Sequence, residues 1–407
     1  MSRSRSTGSS ATWLTIAADA FEEKRHVYQM TDGDGCMNAR FDLTTPGYRL
    51  RTRGVAQRIH PERWDGTSVA AAVEAALAAA NGKTREGKKP IVVGLVPFDA
   101  NAKAVFYIPE EVDFSTDRSV ASLPNDEQSN VFEVHGAESP SYRENVTEAL
   151  KRIQSGALDK VVLARSVTVD SSSPIDIDAV YARLCARNGS AYVYRADLPD
   201  GLEQSSSVLL GASPELVLSC DQGKIRSTPL AGSTPRAANA IADEEVARAL
   251  LNSKKDLAEH SLVVQAVGET FRQFADMVDV PGEPQLVQTP VIWHLGTYIT
   301  GMLRANVSPI ALAYALHPTP AVGGWPQAAA RETIAELEDF DRGFYAGLIG
   351  WMDEDGNGEW VLTLRCGIVN GSKATVFAGA GIVAGSDPET EHTETRTKLQ
   401  TFINALG

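Results

Sequence analysis

The last part of the chain carries acidic and basic side chains at helical spacing. Glu391 and Glu394 are three residues apart, and Lys398 follows four residues later. In a helix these three side chains share one face. Two carboxylates on one face can bind Mg²⁺, which prefers one or two carboxylates together with water and substrate oxygens. A solvated face with an ordinary Glu–Lys pair explains the same spacing, so the spacing alone leaves both interpretations open.

Glycines come just before this predicted helix. Gly379, Gly381 and Gly385 lie in the segment GAGIVAG. A glycine-rich turn that leads into a helix can bring backbone N–H groups to an anion. The spacing G-x-G-x-x-x-G departs from the dinucleotide fingerprint, so we reject a nucleotide-binding βαβ fold.

Four isolated side chains are candidates for proton transfer or metal binding. Lys160 opens the apolar segment KVVLAR, and Glu215 follows a Gly-Ala-Ser-Pro turn. If they are buried, desolvation lowers the pKa of the lysine and raises that of the acid, so that they can act as base and acid. Glu259 lies near the start of a predicted helix, where the helix dipole alone explains an acid. His294, in VIWHLG, has the surroundings of an ordinary core histidine.

The pattern of hydrophobic residues predicts an α+β fold. Helical spacing is found in SYRENVTEALKRIQSGALD, DLAEHSLVVQAVGETFRQFADMV and ETEHTETRTKLQTFINAL. Strand patterns and turn signals such as Asp355-Gly356-Asn357-Gly358 predict antiparallel hairpins. We expect large antiparallel sheets covered by helices. We divide the chain into a disordered tail (1–12), an N-terminal part of the fold (13–138) and a catalytic region (139–407).

Composition limits the kinds of partner and compartment. The net charge of −14 argues against nucleic-acid binding, which needs a basic face. No apolar run approaches the ~20 residues of a membrane span, and the polar start lacks the apolar stretch of a secretory signal. Four cysteines lie far apart, which predicts unpaired thiols in a reducing compartment and no zinc site. We therefore predict a cytoplasmic protein, and a monomer by default.

Ten ordered segments connect the chain with one family. In order they are DKVVLARS, LGASPELVL, STPLAGSTPR, KKDLAEHSLV, IWHLGT, LHPTPAVGGWP, FDRGFYAGLIGW, GEWVLTLRC, FAGAGIV and EHTETRTKL. They lie between residues 140 and 402. With them the chain resembles the chorismate-utilising enzymes, specifically the isochorismate synthases. VPFD and FYIPEEV, nearer the start, are similar to the siderophore-pathway branch.

The resemblance implies a fold of two similar α/β halves with the active site between them, and a Mg²⁺-dependent addition of water to chorismate. It implies that Lys160 is the general base and Glu215 the general acid. Glu259 and Glu394 would bind Mg²⁺, with Glu391 in or near its coordination shell. His294 is expected close to the substrate ring. The positions expected to contact substrate are Ala321, Tyr345, Leu364, Arg365, Gly379, Gly381 and Lys398.

Several alternatives stay open within and outside this family. A salicylate synthase shares the fold and the lysine but goes on to eliminate pyruvate; Ala321 favours stopping at isochorismate. Anthranilate and aminodeoxychorismate synthases use ammonia and usually carry another residue at the position of Lys160. Isochorismate feeds siderophore and menaquinone synthesis, and we favour the siderophore pathway. A non-catalytic chorismate-binding protein is the alternative of a different class, but binding alone needs neither proton donor nor acceptor.

Overall fold

The structure is a computed structural model that describes residues 24–27, 39–80, 89–118, 131–198 and 207–407. The predicted tail over 1–12 lies outside these residues, as does Cys36. The three described cysteines, Cys185, Cys220 and Cys366, are free thiols, as expected. No helix within the described ranges has the length and apolarity needed to cross a bilayer.

The described residues form eight helices, several of which begin at a side-chain cap. They are α1 Gly66–Ala80, α2 Pro140–Gln154, α3 Ile177–Arg187, α4 Ala240–Asn252, α5 Lys254–Phe274, α6 Pro309–Leu316, α7 Gln327–Leu337 and α8 Pro388–Leu406. Ser253 caps α5 by accepting a hydrogen bond from the N–H of Asp256, and Asp387 caps α8 in the same way. These caps satisfy N–H groups that have no partner within the helix.

The strands are β1 Lys24–Val27, β2 Arg40–Thr44, β3 Arg49–Arg53, β4 Gln57–Arg58, β5 Ile91–Val96, β6 Val105–Ile108, β7 Glu111–Ser115, β8 Phe132–His135, β9 Lys160–Ser171, β10 Tyr192–Asp197, β11 Val208–Ser213, β12 Leu216–Asp221, β13 Lys224–Thr228, β14 Leu230–Pro235, β15 Ala275–Asp279, β16 Gln285–Gln288, β17 Ile292–Gly296, β18 Ile299–Leu303, β19 Gly324–Trp325, β20 Leu348–Asp353, β21 Gly358–Leu362, β22 Cys366–Asn370 and β23 Lys373–Val383.

These strands build three antiparallel sheets. The eleven-stranded sheet has the order β1-β7-β3-β2-β10-β11-β22-β23-β9-β19, with β8 paired to β9. The nine-stranded sheet has the order β15-β18-β13-β12-β21-β20-β5-β6-β4, and the small sheet has the order β14-β17-β16. The N-terminal part of the chain therefore supplies strands to both large sheets. Its boundary at 138/139 stays a prediction.

The core lies between the two large sheets. One apolar cluster contains Leu50 and Tyr194 from the eleven-stranded sheet together with Leu348 and Trp360 from the nine-stranded sheet. A second cluster packs α3 and α8 against β9 and β23, and a third packs α2 and α7 against β9. The prediction of an α+β fold with large antiparallel sheets and helices outside is thus confirmed.

Strand β9 turns successive side chains to opposite faces, and this places one part of the site. Val161 and Leu163 pack beneath α2 and α7. Lys160 and Val162 belong to the opposite face, because side chains alternate along a strand. Val162 lines a cavity on that opposite face.

Candidate active site

A cavity of about 420 Å³ lies where β9, β14, β17, β23, α5 and α8 meet. Every predicted site residue except Lys160 lines it: Glu215, Glu259, His294, Ala321, Tyr345, Leu364, Arg365, Gly379, Gly381, Glu391, Glu394 and Lys398. The fold therefore brings together side chains that are far apart in the sequence.

Lys160 is buried in the wall of this cavity, with 0% of its surface exposed. Its Nζ lies 2.9 Å from Oε1 of Glu259, but it makes no aligned hydrogen bond within the described residues. Gly381, on the neighbouring strand β23, leaves the space for this pair. A Cβ at Gly381 would lie 2.3 Å from Glu259 Oε1 and 3.1 Å from Lys160 Cε. Lys160 therefore meets the condition of burial that its candidacy for proton transfer required.

Glu215 is the buried acid of the site. It lies between β11 and β12 and is only 3% exposed. Burial raises the pKa of its carboxyl to about 8, although the backbone N–H of Leu230 and the positive charges of Lys160 and Arg365 partly oppose the shift. A carboxyl with this pKa carries its proton at neutral pH. Glu215 lines the cavity together with Glu259, which Lys160 contacts, so the Glu215 carboxyl and the Lys160 amine lie in the same region.

His294 and Arg365 form a pair at the cavity. Arg365 follows β21 with a positive φ of 51°, and its Nη2 lies 3.1 Å from Nε2 of His294. A guanidinium can only donate, so Nε2 of His294 accepts and the ring is neutral with its proton on Nδ1. Burial and the positive charges of Arg365 and Lys398 hold the pKa of His294 well below its usual value. His294 therefore stays uncharged under ordinary conditions.

Tyr345 and Gly379 form another side of the cavity. The ring of Tyr345 stacks on Phe377 with 5.3 Å between centroids. A Cβ at Gly379 would lie 2.9 Å from the hydroxyl of Tyr345. Glycine thus allows β23 to approach this aromatic side chain closely.

The charged face of α8 points into the cavity and not into solvent. Lys398 Nζ lies 2.5 Å from Oε1 of Glu394 and donates a hydrogen bond of 2.9 Å to the carbonyl oxygen of Gly379. Glu391 is buried, and its Oε1 lies 2.9 Å from Nζ of Lys255 on α5. The interpretation of this helix as a functional face fits its position in the structure.

The acidic residues offer the donor chemistry of a magnesium site. Burial and the charge of Glu394 raise the pKa of Glu391, and burial and the charge of Glu259 raise the pKa of Asp256, so these carboxylates crowd one another. No three His, Cys, Asp or Glu side chains converge on one point within the described residues. Mg²⁺ needs only one or two carboxylates, with water and substrate supplying other oxygens. The acids therefore fit such an ion.

Sequence reasoning missed Lys255 as a cavity residue. It lies in the first turn of α5 and is the partner of Glu391. A signal was present, because a cation in the first turn of a helix opposes the helix dipole and needs another explanation. The contact itself joins two helices and could not be obtained from spacing.

Comparison with known proteins agrees with this site. A family described as chorismate binding enzyme matches residues 77–407. The isochorismate synthase DhbC of Bacillus subtilis is 39% identical over 373 residues, which cover 90% of this chain and 93% of the relative. EntC, an isochorismate synthase of Escherichia coli K12, is 39% identical over 375 residues, which cover 90% and 95%.

A solved structure extends the likeness to the fold. The crystal structure of DhbC from Bacillus anthracis superposes with a TM-score of 0.84 at 37% identity, covering 91% of this chain and 96% of its own. The family match spans most of the chain, including every predicted site residue. The chain therefore belongs to the family of chorismate-binding enzymes.

Proposed function

We propose that this protein is an isochorismate synthase, which adds water at C2 of chorismate and expels the 4-hydroxyl in a reversible isomerisation. The observation that carries the proposal is the pairing in one region of a buried, proton-bearing carboxyl, Glu215, with a buried amine, Lys160. The relatives named as isochorismate synthases support the same reaction.

Glu215 acts as the general acid in this proposal. Hydroxide is a poor leaving group, so the 4-hydroxyl must receive a proton as it departs. With a pKa of about 8, the Glu215 carboxyl holds that proton at neutral pH. Positioned proton transfer of this kind contributes on the order of 10² to 10⁴ in rate.

Lys160 acts as the general base that accepts a proton from the attacking water. Its Nζ contacts Glu259, yet it makes no aligned hydrogen bond with any described group, so its hydrogen-bonding capacity is not used up by the protein. Gly381 supports this role because its missing Cβ leaves the space that the Lys160–Glu259 pair occupies beside the cavity.

The remaining side chains bind and orient the substrate. Arg365 and Lys398 supply positive charge for the carboxylates of chorismate, which a chain of net charge −14 would otherwise repel. Neutral His294 lies beside Arg365, in a position to contact the ring. The contacts proposed for the enolpyruvyl side chain and the ring edge come from Ala321, Tyr345, Leu364, Gly379 and Gly381.

Mg²⁺ would be held by Glu259 and Glu394, with Glu391 in or near the coordination shell. When bound, such an ion neutralises the ring carboxylate and fixes its position. The crowding of acids at the cavity supports this assignment. VPFD and FYIPEEV support a place in siderophore synthesis. Cytoplasmic location and a monomeric state are part of the proposal, and fractionation and size-exclusion chromatography would test them.

A turnover assay with chorismate and Mg²⁺ tests the function. We expect isochorismate alone, and the same equilibrium mixture when the reaction starts from isochorismate. Salicylate with pyruvate would make the protein a salicylate synthase, anthranilate in the presence of ammonia would make it an anthranilate synthase, and no product would leave a binding protein. Lys160→Ala and Glu215→Ala should each abolish turnover with an unchanged circular dichroism spectrum. Near-normal rates in either variant would refute the assigned roles.

A further inference from the structure

Lys255 joins the two acidic helices of the site. It lies in the first turn of α5 and lines the cavity, and its Nζ contacts Oε1 of Glu391 on α8 at 2.9 Å. Its side chain is 35% exposed, whereas that of Glu391 is 2% exposed. The ammonium group therefore stands at the solvent side of a buried carboxylate.

The stability of α5 does not explain a cation at this position. The N-terminal turn of a helix carries partial positive charge, so a lysine there is unfavourable for the helix. The preceding residue, Lys254, is exposed and does not line the cavity. Lys255 instead turns towards the acidic side chains of the cavity. Its contacts with those acids therefore have to explain why a cation occupies this position.

Several acids share Lys255 as a partner. Its charge interacts with those of Glu391, Glu259 and Asp256, and it also acts on Glu394. Buried carboxylates without a nearby cation are strongly unfavourable. Lys255 thus supplies positive charge to the same carboxylates that would hold a divalent cation.

We propose that Lys255 is a positioning residue that balances the acid cluster while the metal is absent and is displaced when Mg²⁺ binds. It is an internal competitor that sets the affinity for the ion. Its long, flexible side chain ends near solvent and can leave Glu391 by rotating towards the cavity mouth. This inference rests on the magnesium site proposed above.

A calorimetric titration of Mg²⁺ into the purified full-length protein, without chorismate, tests whether the ion displaces Lys255. Lys255→Met keeps the length of the side chain but removes the competing charge, so the Kd for Mg²⁺ should fall at least about fivefold. Lys254→Met is the matched control, because it removes the same charge from the same turn without touching the cavity; it should leave the Kd near that of the wild type. Lys255→Arg should restore the wild-type value.

A second measurement separates this role from a purely structural one. In the presence of chelator, Lys255→Met should melt at a lower temperature than wild type, and saturating Mg²⁺ should raise its melting temperature by more. If Lys255→Met does not fold, Lys255→Gln, which also removes the charge, takes its place in both measurements.

Other outcomes would overturn the inference. An unchanged or higher Kd in Lys255→Met would do so, as would absence of metal binding to all of these chains. A raised KM for chorismate with an unchanged Kd for Mg²⁺ would make Lys255 a substrate ligand. The wild-type product assay is independent of these results. Isochorismate formation together with an unaltered Kd would refute the exchange alone, and lack of turnover would refute the function.

Discussion

Replacement of Glu215 by glutamine should stabilise the protein at high pH while destroying its activity. The carboxyl has a pKa of about 8 in the folded protein, against an ordinary value of 4.5. Below pH 4.5 both folded and unfolded chains carry the proton, so the acid imposes no pH-dependent cost. As pH rises from 4.5 to 8, the unfolded chain ionises first and folding becomes progressively less favourable. The full gap of about 3.5 between these pKa values corresponds to about 5 kcal/mol, since one pKa unit is about 1.36 kcal/mol.

Glutamine has nearly the same shape but cannot ionise, so Glu215→Gln should be free of this cost. Urea unfolding of both proteins at about pH 5 and about pH 9 measures it. We expect the stability of the variant relative to wild type to increase by about 4 kcal/mol between these two conditions. Any constant effect of the amide on hydrogen bonding cancels in this comparison.

Kinetics of the same two proteins complete the test. The kcat of Glu215→Gln should fall by on the order of 10² to 10⁴, because the amide cannot protonate the leaving hydroxyl. Wild-type kcat/KM should decline above about pH 8 as Glu215 loses its proton. If the difference in unfolding free energy between Glu215→Gln and wild type is the same at both pH values, the carboxyl does not have a raised pKa. The physical basis of the acid role then fails.

Three further changes test the packing beside the site, a buried ion pair outside the cavity lining and the need for the metal. Gly381→Ala would place a Cβ 2.3 Å from Glu259 Oε1; we expect kcat to fall at least about a hundredfold. Gly189→Ala is the control in the same steady-state assay, because a Cβ at Gly189 meets open space. Equal kcat values in the two variants would contradict the claim that Gly381 leaves space for the Lys160–Glu259 pair. Arg342→Met removes one partner of a buried pair whose atoms lie 2.5 Å apart, so unfolding in urea should show a loss of about 3 to 5 kcal/mol. The double variant Arg342→Met/Glu338→Met should lose less unfolding free energy than Arg342→Met, because it leaves no unpaired carboxylate. An equal loss would mean that the broken ion pair is not the cause of the destabilisation. Removal of metal by chelator should abolish turnover without lowering the helix content seen by circular dichroism, and added Mg²⁺ should restore it; chelator-resistant turnover would refute the need for the ion.

Local periodicity was sufficient for the face of α8. Residues at intervals of three and four fall on one side of a helix, so the common face of Glu391, Glu394 and Lys398 followed from spacing. The spacing could not tell whether that face met solvent or a cavity, because this depends on what packs against the helix. Here β23 and α5 do so, through the Gly379 carbonyl and Lys255.

Contacts between distant segments were beyond the reach of spacing. Lys160 and Glu259 lie on a strand and a helix whose approach is fixed by the tertiary fold, and the open position of Gly381 between them has no local signature. The left-handed backbone at Arg365 is equally unexpected, since arginine has no preference for positive φ. Residue type and position had marked Lys160, Glu259 and Gly381 as isolated candidates, but only the family resemblance connected them with one another and with Arg365 before the fold was known.

The position of β5 has a consequence for how the chain is made. This strand is buried along its whole length and pairs with β20, so that Gly94 lies opposite Gly350, with β6 on its other side. During synthesis β5 emerges long before β20, so the apolar edge of β5 that pairs with β20 stays unpaired until then. Pairing across such a long sequence separation is slow and exposes the nascent chain to aggregation. We therefore expect the β20-facing edge of β5 to be the aggregation-prone edge of an unfinished chain, and deletion of the N-terminal region to leave β20 without this partner in the nine-stranded sheet.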